Sequence, residues 1–151
     1  MNVTTRGRYA LRVMMDLAQQ PGDGFVSLKT IAERQGISMK YLEMIVGQLK
    51  RAELVESSRG KEGGYRLSRA PSAYSVGEIM RCQEDSLAPV ACIRDGGVDC
   101  DQAALCRTIP MWKELDEITN RYLDSVTLED LLTGERWNQR PPLTGTEEGG
   151  R

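Results

Sequence analysis

The run Arg59-Gly60-Lys61-Glu62-Gly63-Gly64-Tyr65 constrains this chain more than any other stretch. Its glycines open backbone angles closed to other residues. On either side lie two short stretches with half-buried alternation, Leu54-Val55-Glu56-Ser57-Ser58 and Tyr65-Arg66-Leu67-Ser68. The arrangement predicts a β-hairpin with a thin, glycine-rich tip. Everything before it reads as helix. Tyr9, Ala10, Val13, Met14, Leu17 and Ala18 recur at helical spacing, predicting a first helix over about residues 8–19 that stops before Pro21-Gly22. Ser27 and Ser38 stand where a hydroxyl can accept a free backbone N–H of a following helix. Gly36 between them suits a left-handed helix end. Two short helices joined by a tight turn, followed by the hairpin, make a helix-turn-helix with a wing. The predicted fold is therefore mainly α with a small β-hairpin wing.

Beyond Pro71, Ser75 is expected to cap a fourth helix carrying Val76, Ile79 and Met80. Residues 85–106 show no periodicity, and a loop of that length in a small domain is usually functional. It carries Cys92-x7-Cys100-x5-Cys106. A long helix is expected to start near residues 107–111, with Pro110 tolerated in its first turn. Met111, Leu115, Ile118 and Tyr122 form a stripe close to a coiled-coil seam, widened by Trp112, Thr119 and Leu123. Such a helix at the edge of a small domain calls for a partner. A second copy of the chain is the simplest, and packing on the first helix is the alternative. Thr127-Leu128-Glu129-Asp130 opens a short last helix through Leu132. The expected divisions are a winged helix-turn-helix over 1–80, a cysteine loop over 81–106, a dimerisation helix and C-terminal helix over 107–135, and a disordered tail over 136–151.

The charge is split. Residues 1–70 hold 12 Lys/Arg against 7 Asp/Glu, and residues 71–151 hold 8 against 15. A basic front half can neutralise phosphates, and an acidic back half should face away from them. No run of 18 apolar residues and no N-terminal apolar segment are visible, so the expectation is a cytoplasmic chain without a membrane span. Four cysteines in such a chain, three of them close together, point to metal or redox chemistry rather than a disulfide framework. Spacings of seven and five are looser than the paired C-x2-C of a zinc knuckle and suit a loop wrapped around a larger centre. An enzyme is disfavoured: there is no histidine to serve as a base, no C-x-x-C and no phosphate-cradling glycine loop after a strand.

Thr5-Arg6-Gly7-Arg8-Tyr9-Ala10-Leu11, Ile31-Ala32-Glu33-Arg34-Gln35-Gly36-Ile37-Ser38, Tyr41-Leu42-Glu43 and Arg59-Gly60-x-x-Gly63-Gly64-Tyr65 together resemble the IscR/NsrR/CymR family of winged-helix transcription regulators. The cysteine loop running into Cys106-Arg107-Thr108-Ile109-Pro110-Met111-Trp112 looks most like its iron–sulfur members, the IscR branch especially. The resemblance covers about residues 1–135. It implies a homodimer on a palindromic double-stranded DNA operator, for which the Met111, Leu115, Ile118 and Tyr122 stripe read from spacing is the candidate dimer interface. It also implies an iron–sulfur cluster on Cys92, Cys100 and Cys106, of the 2Fe–2S type ahead of 4Fe–4S, whose presence changes which operators are bound. Here the sequence departs from the pattern. IscR-type members carry a histidine ligand three residues after the last cysteine; that position is Ile109, and the chain has no histidine. NsrR-type members use an acidic side chain of the partner's first helix, and the matching residue is Arg8. The fourth ligand is left among Asp95, Asp99, Asp101, Cys82, water and an exogenous thiol.

The third helix is expected in the major groove, with Ser38, Met39, Lys40, Glu43 and Met44 at or off its solvent side and Tyr41 beside them. Lys40 suits a guanine edge or a phosphate, and Glu43 a cytosine amino group. The resemblance gives Glu43 a part in telling operators apart. Tyr41 is expected to touch backbone while its ring packs inward. Arg59 on a thin tip suits a narrow A·T minor groove, with Lys61, Arg6, Arg8 and Lys50 on phosphates. The plainer reading of Lys40 and Glu43 is a solvated helix face. Two alternatives to the cluster remain: a cluster-free thiol-redox or cysteine-metabolism repressor, and a zinc-stabilised DNA-binding module.

Overall fold

The computed structural model describes residues 3–140, and the expected tail beyond residue 140 lies outside the described residues. Helix α1, Thr5–Ala18, starts three residues earlier than periodicity alone predicts, because Thr4 Oγ1 accepts the Gly7 N–H at 3.3 Å and fixes the first turn. Helix α2, Leu28–Gln35, is capped by Ser27 and closed by Gly36 at φ 64°. Helix α3, Met39–Arg51, is capped by Ser38, which accepts from Tyr41 N. The buried stripe of α3, namely Leu42, Ile45, Val46 and Leu49, is fully enclosed against Ala10, Val13 and Met14 of α1 and Ile31 of α2. These three helices build the main core. An acidic clamp ties α1 to α2 as well: buried Asp16 accepts from Arg34 at 2.7 Å and from Gln35 at 2.8 Å.

Strands β1, Val55–Ser58, and β2, Gly64–Leu67, pair antiparallel with Val55 opposite Leu67 and Ser58 opposite Gly64. Val26 adds an isolated bridging rung to β2 that the sequence did not announce, exchanging both backbone hydrogen bonds with Tyr65 at 2.8 Å. That rung explains the glycine pair. Gly64 has φ 149°, and a Cβ on it would run into the Val26 carbonyl. Gly63 needs no unusual angle; a Cβ there would strike the Ser58 carbonyl. The glycines thus serve close backbone approach at the base of the wing as much as turning at its tip.

Tyr74 locks the wing to the body of the domain. Its ring is fully buried, its hydroxyl donates to Leu54 O at 2.7 Å, and it accepts from Ser68 N and Arg69 N at 2.8 and 2.9 Å. Helix α4, Val76–Arg81, comes next, after the Ser75 cap. Beyond the cysteine loop lies α5, Ile109–Ser125, with Pro110 in its first turn. Helix α6, Leu128–Thr133, has a full capping box between Thr127 and Asp130. The chain there returns to α4, with Val76 N donating to Val126 O and Leu128 N to Tyr74 O. A small second core of Val76, Met80, Leu87 and Val126 seals this junction. Arg81 joins α4 to α5 through Asp124 and Asn120. A further helix, α7, Glu135–Asn138, occupies the start of the segment expected as tail. Arg136 fixes it by donating to Ser125 O at 2.6 Å and to the Asp130 carboxylate. Among the described residues no helix is long and apolar enough to cross a membrane.

A candidate nucleic-acid interface and a cysteine loop

The outer face of α3 carries Ser38, Met39, Lys40, Glu43 and Met44, all exposed. Tyr41 is half-buried and its ring meets Tyr9 edge-on, with centroids 5.9 Å apart. Arg59 and Lys61 are exposed at the wing tip. Arg66 on β2 is committed elsewhere, bonded to Glu56 and Asp23 O and stacked on Phe25. Arg8 and Lys50 are exposed. Arg6 differs from its neighbours. It is half-buried and lines a hollow with Thr4, Glu84, Asp85 and Arg94, at the root of the cysteine loop.

The root of the cysteine loop is fastened to the helix-turn-helix. Gln83 is 2% exposed and donates to Ile45 O of α3 at 3.1 Å. Buried Glu84 accepts from Thr4 N and Thr4 Oγ1 at 3.0 and 2.8 Å, just ahead of α1. Leu87 and Ile93 bury further anchors. From there, backbone hydrogen bonds chain the cysteines into successive turns: Asp99 N to Cys92 O at 2.8 Å, Ala103 N to Cys100 O at 3.1 Å, and Cys106 N to Ala103 O at 3.3 Å. Cys100 is exposed, while Cys92 and Cys106 are half-buried. The Thr108 hydroxyl, 3.1 Å from Cys106 Sγ, and the backbone N–H groups of Thr108 and Ile109 hold the Cys106 thiol below its ordinary pKa. Cys82 is a different kind of thiol. It sits at the end of α4, donates to Ile79 O at 3.0 Å, and burial pushes its pKa up.

Among the described residues, no three His, Cys, Asp or Glu side chains converge into a metal-holding group, so the structure links the three loop cysteines by backbone without bringing their sulfurs together. The donor chemistry nonetheless fits an iron–sulfur centre: three thiols on one outward loop, one of them already biased toward thiolate. Ile109 is buried in the first turn of α5 and offers no donor atom. Cys82 is turned to the main core. Asp99 and Asp101 are exposed, and the Asp95 side chain lies outside the described residues.

The stripe expected on α5 faces outward. Met111, Leu115, Ile118 and Tyr122 are 52, 42, 52 and 42% exposed. Tyr122 is flanked by the guanidinium groups of Arg136 and Arg140, about 6 Å from its ring centre. That α7 cover was not foreseen, since no periodicity marks a helix so short.

Comparison with known proteins shows which family carries this architecture. Residues 3–134 match the Rrf2 family, described as an iron-dependent transcriptional regulator. A putative HTH-type transcriptional regulator of Neisseria meningitidis serogroup A is 41% identical over 132 residues, 87% of this chain and 88% of the relative. IscR of Photobacterium profundum is 38% identical over 148 residues, 98% of this chain and 83% of the relative. Among solved structures, CymR of B. subtilis, the global cysteine regulator of that organism, superposes with a TM-score of 0.72 at 37% identity, covering 89% of this chain and 98% of CymR. T. potens IscR gives a TM-score of 0.70 at 39% identity, covering 94% and 93%. Capped helix-turn-helix, paired wing and these neighbours define a winged-helix DNA-binding transcription regulator, not an enzyme. The chain belongs to the Rrf2 family.

Proposed function

We propose that the protein is a homodimeric regulator that grips a palindromic operator through α3 and the wing, and that Cys92, Cys100 and Cys106 hold an iron–sulfur cluster, 2Fe–2S ahead of 4Fe–4S, that tunes this grip. One observation carries the reading. The cysteine loop is bonded at its root to Ile45 of α3 and to Thr4 ahead of α1, and its far end runs straight into the outward apolar face of α5. Ordering such a loop biases both the recognition helix and the dimer helix, which a differential effect on affinity requires. When bound, the cluster supplies a redox-sensitive centre whose gain or loss is the signal. The chain's residues would supply three sulfurs, and the fourth ligand would come from Asp95, Asp99, Asp101, Cys82, water or an exogenous thiol. On the DNA side, Lys40 and Glu43 read base edges, Arg59 enters the minor groove, and Lys61, Arg8 and Lys50 hold phosphates.

Replacing all three loop cysteines by Ala tests the ligand set. The expected variant is folded by circular dichroism but lacks the iron and visible absorbance of the anaerobically purified parent. Iron and colour surviving the triple change would overturn the assignment. A second reading has its own support: exposed Cys100 and the thiolate-biased Cys106 also suit a cluster-free thiol switch. Metal analysis separates the two, and zinc in place of iron would instead mark a structural module.

A further inference from the structure

Met39 and Met44 are 42 and 41% exposed on a helix whose other exposed residues are Lys40, Glu43, Lys50 and Arg51. Neither belongs to a core cluster among the described residues. At 3.6 residues per turn, positions 39, 40, 43, 44 and 47 share an arc of about 140°. Gly47 lies inside that arc. A Cβ built on it meets nothing within 4 Å, and its φ is not in the left-handed region. Neither the packing nor the backbone of this chain therefore calls for glycine there, and glycine inside a helix is less favourable than alanine. The surface thus holds two flexible thioether side chains at the two edges of the arc, with Glu43, Gly47 and Lys40 between them and Arg51 bonded to the Gly47 carbonyl at 3.3 Å, on the basic half of the molecule.

In the major groove the apolar feature a side chain can meet is the thymine 5-methyl group. Methionine, unbranched and polarizable, fits such irregular apolar contacts. We propose that Met39 and Met44 read thymine methyl groups in each operator half-site, and that bare Gly47 lets the groove wall come close enough for both to reach. This rests on α3 being the major-groove element and goes beyond it by naming the base feature recognised.

The test selects binding duplexes from a random-sequence pool with the full chain, then resynthesises the selected duplex with deoxyuridine in place of thymidine, which removes only the methyl groups. Affinity is expected to fall about fourfold per contacted methyl, the effect of exposing one apolar carbon. The Met39→Ala/Met44→Ala variant should bind the two duplexes equally while keeping its salt dependence. Gly47→Ala should melt no lower than the parent yet bind the selected duplex more weakly. Equal binding of the thymidine and deoxyuridine duplexes by the parent, or a methyl preference that persists in the double variant, would overturn the proposal. Failure to enrich any duplex would instead sink the recognition-helix reading beneath it.

Discussion

Tyr74 shows how much a single side chain carries here. Its one hydroxyl serves Leu54 O, Ser68 N and Arg69 N inside a fully buried pocket. Tyr74→Phe keeps the ring but leaves backbone groups without a partner, a loss of about 1–3 kcal/mol; urea unfolding of the two proteins would measure it. Gly64 is a second such point. Gly64→Ala forces a Cβ toward the Val26 carbonyl at a backbone angle that L residues avoid, and should lower stability by about 2 kcal/mol or more. The cysteines separate by environment. A thiol held below its ordinary pKa keeps its thiolate to lower pH, and one pushed up by burial loses it sooner as pH falls. In iron-free protein, iodoacetamide should therefore label Cys106 at pH values where Cys82 stays unreacted, which mass spectrometry across about pH 6–10 would show. Cys82 labelling first would contradict the assignment of Cys82 as the inward thiol.

At the scale of elements, the caps were the most legible feature. Ser27, Ser38, Ser75 and Thr127 each accept the backbone N–H three residues on, a contact that depends only on local sequence. What the sequence hid was non-local. The start of α1 depends on Thr4, whose other partner is Glu84, eighty residues away. The Val26–Tyr65 rung joins a single residue to a strand and leaves no periodic trace. Helix α7 exists through Arg136, whose bonds reach back to Ser125 and Asp130. In the candidate site, the identities of the cysteines were plain, but the missing histidine left the last ligand open because any acidic residue of a loop can swing toward a metal. The junction of α4 and α5 offers a sharper expectation. Arg81 bonds Asp124 and Asn120 at the surface, so Arg81→Ala should alter stability by under about 1 kcal/mol. On the proposed coupling, it should still shrink the difference in operator affinity between iron-loaded and iron-free protein. An unchanged difference would remove this junction from the mechanism.

On the scale of the whole molecule, the division of charge and the outward stripe of α5 belong to one design. On the proposed reading the basic half meets phosphates, and the acidic half, which includes α5, turns its exposed apolar seam toward a second copy. Leu115→Glu/Ile118→Lys should shift light-scattering mass from dimer to monomer and weaken operator binding without unfolding the winged-helix core, since neither side chain is buried. Arg59→Ala should weaken binding by about 1–3 kcal/mol and reduce the salt slope by about 1 if its minor-groove contact also neutralises a phosphate. The proposed function turns on whether the loop cysteines govern how the dimer holds DNA. The decisive quantity is the affinity of anaerobically purified protein for its selected duplex, before and after iron is chelated away, beside the Cys92→Ala/Cys100→Ala/Cys106→Ala variant. The expected parent is coloured, contains iron, and shifts in affinity about 5- to 150-fold on chelation, the usual range of coupling between sites; the expected variant is colourless and fixed at the chelated value. A parent that holds no iron, or one affinity shared by all three samples, would contradict cluster control of DNA binding.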